Sequence, residues 1–215
     1  MLRLIIGNKA YSSWSLRPWF LLRQAGIEFE DQVVPLYQPD SREALLRYSP
    51  TGKVPCLIDG DLTIWESLAI CEYVAEQFPE KQLWPADRAL RAEARAYASE
   101  MHAGFFALRQ HCPFNARRQF APREWPADVQ SDLVRIGQIW SDLRRRHQHL
   151  GPFLYGQFSV VDAMFVPVAS RARTYALPLP ELAQGYADML LDLPAMREWY
   201  AAGAAEPWVV PGSEP

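Results

Sequence analysis

The chain has 215 residues, 49% of them apolar, and a formal net charge of −3. That length fits one large domain or two small ones with apolar residues enough for a sizeable core. The near-neutral charge without basic runs argues against nucleic acid, and no window reaches the roughly 18 apolar residues of a membrane span.

Leu2–Ile6 is a short apolar run that reads as a buried strand and is too short for a signal peptide. Tyr11-Ser12-Ser13-Trp14-Ser15-Leu16-Arg17-Pro18 then leads into a helix over 15–25, which Gly26 stops. Residues 29–34 alternate like a strand. Asp40-Ser41-Arg42-Glu43 has the form of a capping box ahead of a short helix. Residues 54–58 and 62–64 read as a hairpin around Asp59-Gly60-Asp61, and 66–78 as a helix. The order βαβαββα predicts a mixed, four-stranded sheet with helices packed on it.

The pattern changes near Phe78-Pro79-Glu80-Lys81-Gln82-Leu83-Trp84-Pro85 and is helical almost throughout afterwards. Ala92, Ala96, Ser99 and Ala103 form a small-residue face on which close helix packing is expected. Val129, Leu133, Ile136, Trp140 and Leu143 recur at steps of three and four, an apolar stripe on a long helix. Ser159-Val160-Val161-Asp162 opens a further helix, with Ser159 as cap and Asp162 returning a bond to its backbone. Pro178, Pro180 and Pro194 punctuate the last helices, and the final seven residues carry weak structural signals. The expected division is 1–79, a linker over 80–87, and an all-helical 88–215.

Three sequence features are candidates for chemistry. Val54-Pro55 begins a strand with a residue that cannot donate to a ladder, leaving open backbone to which an extended peptide can add; a plain strand-initiating proline is the alternative. Glu66-Ser67 opens a helix whose first turn favours a carboxylate, while Glu66 accepts from an ammonium; an ordinary N-cap is the alternative. The three hydroxyls of the 12–15 loop lie near a helix start, where one can donate to a thiolate and lower its pKa. Cys56, Cys71 and Cys112 fit no metal spacing and read as buried thiols of a reducing, cytoplasmic compartment. His102 and His111 read as solvated or capping residues. No cysteine lies in the 11–17 loop to form a mixed disulfide.

In the order Ser loop, Ser49-Pro50-Thr51-Gly52-Lys53-Val54-Pro55, Glu66-Ser67-Leu68-Ala69-Ile70, then Ser159 to Asp162, the chain resembles the cytosolic glutathione transferases over nearly its whole length. Ser12-Ser13-Trp14-Ser15-Leu16-Arg17 is similar to the Ser-Ser-Cys-Ser-x-Arg motif of the zeta class, with Trp14 in place of the cysteine. The resemblance implies a thioredoxin-like N-terminal domain, an all-α C-terminal domain and a homodimer. It implies glutathione as co-substrate and no metal. Val54, with Pro55 in cis, would pair with the cysteinyl part, Glu66 and Ser67 would hold the γ-glutamyl group, and Lys53 would approach the glycyl carboxylate. Trp14 would adjoin the thiol. Ser12 by the zeta alignment, or Ser13 by the theta one, would activate it. Met101, Phe105, Phe106 and Phe114 are candidates to face a small-molecule electrophile. The implied activity is conjugation by a serine-type transferase acting in detoxification. Cis-trans isomerisation of maleylacetoacetate or maleylpyruvate is the rival, and a non-catalytic glutathione-binding module is the alternative from another class.

Overall fold

The computed structural model describes residues 1–214. The first half runs β1 (Leu2–Ile6), α1 (Ser13–Gln24), β2 (Phe29–Val33), α2 (Ser41–Leu46), β3 (Cys56–Asp59), β4 (Leu62–Trp65) and α3 (Ser67–Gln77). The sheet order is β2-β1-β3-β4. β1 pairs parallel to β2 and antiparallel to β3, and β3 pairs antiparallel to β4, so the sheet is mixed. Gly60 at φ 57 supplies the left-handed residue of the β3–β4 turn. α1 and α3 cover one sheet face and the smaller α2 the other, where Leu45 packs on Ile5, Val34 and Cys56.

The second half holds α4 (Arg88–Ala103), α5 (Phe106–His111), α6 (Ala127–His147), α7 (Val160–Thr174), α8 (Glu181–Asp192) and α9 (Pro194–Ala205). All but one residue of α7 is buried, so this helix is the spine of the core. It touches α1, α3, α4 and α8, and one continuous apolar cluster therefore joins the halves. At its start Asp162 accepts from the backbone N–H groups of Leu154 and Ser159 at 3.1 and 2.9 Å. It also accepts from the hydroxyls of Ser159 and Tyr186 at 3.0 and 2.8 Å.

Several local expectations are corrected. Asp40 makes no side-chain cap bond; Ser41 instead ties the preceding loop, accepting from Gln38 N and donating to Pro35 O, both at 2.7 Å. α1 starts two residues before the expected 15, which moves Pro18 into its second turn. The small-residue face of α4 points outward: Ala92, Ala96, Ser99 and Ala103 are exposed, and Ala94, Ala98 and Met101 are buried instead. The period was legible but its phase was not, because alanine is common on both faces.

The C-terminal segment is tied down over the β1–α1 loop. Glu206 accepts from the backbone N–H groups of Lys9 and Ala10 at 2.7 and 3.0 Å. Tyr11 donates to Glu214 at 2.7 Å, and Arg117 donates to the carbonyls of Gly203, Glu206 and Trp208. A Cβ on Gly203 would lie 3.2 Å from Ala10 N, so glycine permits this approach. Pro215 lies outside the described residues.

Candidate active site

A cleft of about 480 Å³ lies between the halves. Thr51, Lys53, Val54, Pro55, Trp65 and Glu66 form its sheet-side wall, and Trp14, His102, Ala103, Phe106 and Arg109 the other. A larger groove of about 760 Å³ runs along the outer face of α6 over Trp125, Leu133 and Pro180. Within it Arg145 pairs with Asp142, and Arg123 lies over the face of Trp125. The smaller cleft is where polar groups converge from both halves, which is the better mark of a site.

On the sheet side the Val54–Pro55 bond is cis. Glu66 holds φ 73, a conformation that non-glycine residues adopt at a cost of about 1–3 kcal/mol. It stands at the N-cap of α3 without a side-chain cap bond, so the first-turn amides keep their partial positive charge. Behind it Ser67 is fully buried and accepts from Arg17 Nη1 at 3.3 Å.

Arg17 is only 1% exposed, lies 4.2 Å from the Trp14 ring centroid, and leaves its Nε without a partner. Burial pulls its pKa down to about 9, helped by the like charges of Arg109 and Arg171, so it stays cationic at neutral pH. Arg109 lies over both Trp14 and Phe106 and donates to the carbonyls of His102 and Gly104 at the end of α4. Burial also lowers Arg171, to about 10. None of the three forms an ion pair among the described residues; their bonds go to hydroxyls and carbonyls. The buried end of the cleft is thus electropositive. His102 meets Trp14 edge-on at 5.4 Å and approaches Glu66 at 3.6 Å. Burial and the neighbouring Arg17 push its pKa down, with Glu66 opposing, so the imidazole is neutral at neutral pH.

The structure therefore brings Trp14, Lys53, Val54, Pro55, Glu66 and Phe106 to one cleft. Ser67 sits just behind it. Ser12 and Ser13 are buried and outside its lining, at the root of the Trp14 wall. Ser12 is the N-cap of α1: its Oγ accepts from Ser15 N at 3.3 Å and donates to Ser15 Oγ at 2.8 Å. Ser13 Oγ accepts from Arg171 Nη2 at 3.3 Å. Met101, Phe105 and Phe114 pack in the core and offer no surface to the cleft, whereas Phe106 is 70% exposed. The sequence reading missed His102, Arg109 and Arg171. His102 and Arg109 look like surface residues of helices. Arg171 had only a weak signal, a guanidinium in the polar last turn of a helix that is apolar over 163–169 and also carries Arg173.

Residues 11–77 match the family model described as the glutathione S-transferase N-terminal domain. This stretch is similar to that domain family, and the match ends where the sheet half of the chain ends. The glutathione transferase fold extends over the rest. A maleyl pyruvate isomerase described as a bacterial zeta-class glutathione S-transferase superposes with a TM-score of 0.71 at 22% identity, over 95% of this chain and 98% of the other. A glutathione transferase homolog from Burkholderia GL BGR1, solved with bound glutathione, gives 0.68 at 22% identity over 95% and 99%. In sequence, 63 residues are 46% identical to the dichloromethane dehalogenase of Methylophilus leisingeri, covering 27% of this chain and 22% of that one. The chain spans less than half the length of this and comparable curated relatives.

Proposed function

We propose that this protein binds glutathione in the cleft, ionises its thiol and directs the thiolate at an electrophilic carbon. The carrying observation is that Lys53, Val54 and Glu66, with the uncapped start of α3, share one wall while Trp14, Phe106 and Arg109 face them. On this reading the γ-glutamyl carboxylate sits at the α3 N-terminus beside the Ser67 hydroxyl, and Glu66 accepts from its ammonium. Lys53 pairs with the glycyl carboxylate, and Val54 backbone pairs with the cysteinyl residue. A serine of the 12–13 pair donates to the sulfur. The thiol proton leaves to solvent, a carbon–sulfur bond forms, and the leaving group departs with its electron pair. The chain itself forms no covalent bond; it positions the thiol and lowers its pKa. The division near 80–87 separates the glutathione half from the electrophile half, and the working unit is a cytoplasmic homodimer.

A second reading is favoured by the positive charges at the buried end of the cleft, Arg109 in its wall with Arg17 and Arg171 buried nearby. They suit a carboxylate-bearing substrate such as a maleyl acid, whose double bond the thiolate would add to, allow to rotate, and leave. Calorimetric titration with glutathione, followed by paired assays of conjugation to a chlorodinitrobenzene and of maleyl cis-trans isomerisation, tests both. Binding with either turnover supports an enzyme and selects the reaction. Binding with neither supports a non-catalytic module, and no binding at millimolar glutathione overturns the proposal.

A further inference from the structure

We infer that Ser13 is the hydroxyl that serves the thiol, and that Arg171 on α7 is the positioning residue that commits it to that task. The inference rests on the glutathione reading above. A serine hydroxyl has one proton to give and two lone pairs to receive with. Ser12 has already spent its proton on Ser15 Oγ and a lone pair on Ser15 N. Ser15 is equally committed, since its Oγ also accepts from Gly7 N at 3.0 Å. Together they cap α1 and anchor it to the end of β1. Ser13 differs: the guanidinium of Arg171 donates to its oxygen, and its own proton has no acceptor among the described residues. With the oxygen held from behind by a cation, the remaining proton is both directed and made a stronger donor.

Arg171 is held to this geometry from two elements. Its Nε donates to Cys112 O at 2.8 Å and its Nη1 to Pro167 O at 3.4 Å, and it lies 5.6 Å from the ring centroid of Phe114. The guanidinium cannot swing away without breaking these bonds. Phe114, which offers no surface to the cleft, thereby gains a role beneath Arg171. The arrangement also crosses the domain boundary, because the thiol-binding loop takes its polarising charge from the helical half. The titratable groups facing this pair are Arg17 from α1, Arg109 from α5, Cys112 after α5 and Tyr175 at the end of α7. Burial raises both Cys112 and Tyr175, so they are neutral and leave the local charge positive. His102 and Glu66 act on Arg17 and do not act on Arg171 directly.

The test reads the thiolate absorbance of enzyme-bound glutathione against pH. In Ser13→Ala and in Arg171→Met the apparent thiol pKa should rise by about one unit, so that the thiolate fraction falls about tenfold at pH values well below the wild-type thiol pKa. Glutathione Kd should change less than threefold. Arg171→Lys should restore at least half of the shift, and the Arg171→Met/Ser13→Ala double variant should show no more than Ser13→Ala alone. Ser12→Ala should register in the melting temperature and not in the thiol pKa. A Ser12→Ala shift larger than that of Ser13→Ala, or an unmoved titration in either Ser13→Ala or Arg171→Met, overturns the assignment. Wild-type protein that binds glutathione without lowering its thiol pKa overturns instead the reading on which it rests.

Discussion

Removing the Asp162 carboxylate should cost more stability than any other single truncation outside the apolar core. Four donors end on its two oxygens, and two of them are backbone amides with nowhere else to turn. In Asp162→Ala the N–H groups of Leu154 and Ser159 are left buried and unpaired, at about 1–3 kcal/mol each. The hydroxyls of Ser159 and Tyr186 can rotate, so their share is smaller. The two amides together come to about 2–6 kcal/mol, against a total stability of about 5–15 kcal/mol for a protein of this kind. Burial pushes the Asp162 carboxyl upward, and the four donors pull it back only partly. The intact charge is therefore costly to keep, and the loss on truncation comes mostly from the orphaned donors. Asp162→Asn should fall between the two, since its amide oxygen still accepts but its NH₂ faces a donor. Equilibrium urea unfolding measures all three proteins. A midpoint for Asp162→Ala that implies less than about 1 kcal/mol of loss would refute the reasoning, because it would mean the donors find other partners.

Glu66→Gly should relieve the cost of φ 73 and hold or raise the melting temperature, while weakening glutathione binding through loss of the ammonium acceptor; a parallel fall in both would show that Glu66 is mainly structural. Arg17→Met replaces a buried cation with no ion pair by an apolar chain of similar length, so stability should change by less than about 1.5 kcal/mol. Glutathione affinity should fall at least tenfold, or about 1.4 kcal/mol, in calorimetry, and unchanged affinity counts against Arg17 as part of the site. His102 and His147 both have folded-state pKa values pushed below the ordinary 6.5 by burial. The unfolded chain therefore takes up their protons first, and stability should decline as pH falls below about 6.5, by at most about 1.4 kcal/mol per pH unit for each histidine. Melting curves from pH 8 to pH 5 check this, and His102→Gln should flatten the decline.

The fold was legible where local chemistry admits a single outcome. The Asp59-Gly60-Asp61 turn, Gly26 after α1 and the Val129 to Leu143 stripe each impose their structure on neighbouring residues. Phase was harder: on α4 the alanines occupy both faces, so nothing in the pattern says which face meets α7. In the cleft, the sheet-side wall was readable because Lys53, Val54, Pro55, Glu66 and Ser67 are contiguous or nearly so. The opposite wall draws Trp14, His102, Phe106 and Arg109 from α1, α4 and α5, and their convergence depends on helix crossings that no local pattern encodes. Met101, Phe105 and Phe114 share the helical spacing of Phe106, yet only packing decides that Phe106 alone reaches the opening.

The bonds from Glu206 to Lys9 and Ala10 join positions 197 and 196 residues apart. During synthesis the β1–α1 loop leaves the ribosome well before its partners exist, at about 5–20 residues per second. The sheet can assemble early, since β1 to β4 are contiguous in the chain. The loop that carries Ser12 and Ser13 gains its final tethers only once Glu206 and Glu214 have emerged and α9 has docked. The half of the molecule made first is thus the half finished last, so a nascent or C-terminally clipped chain would hold a formed sheet with an untethered β1–α1 loop.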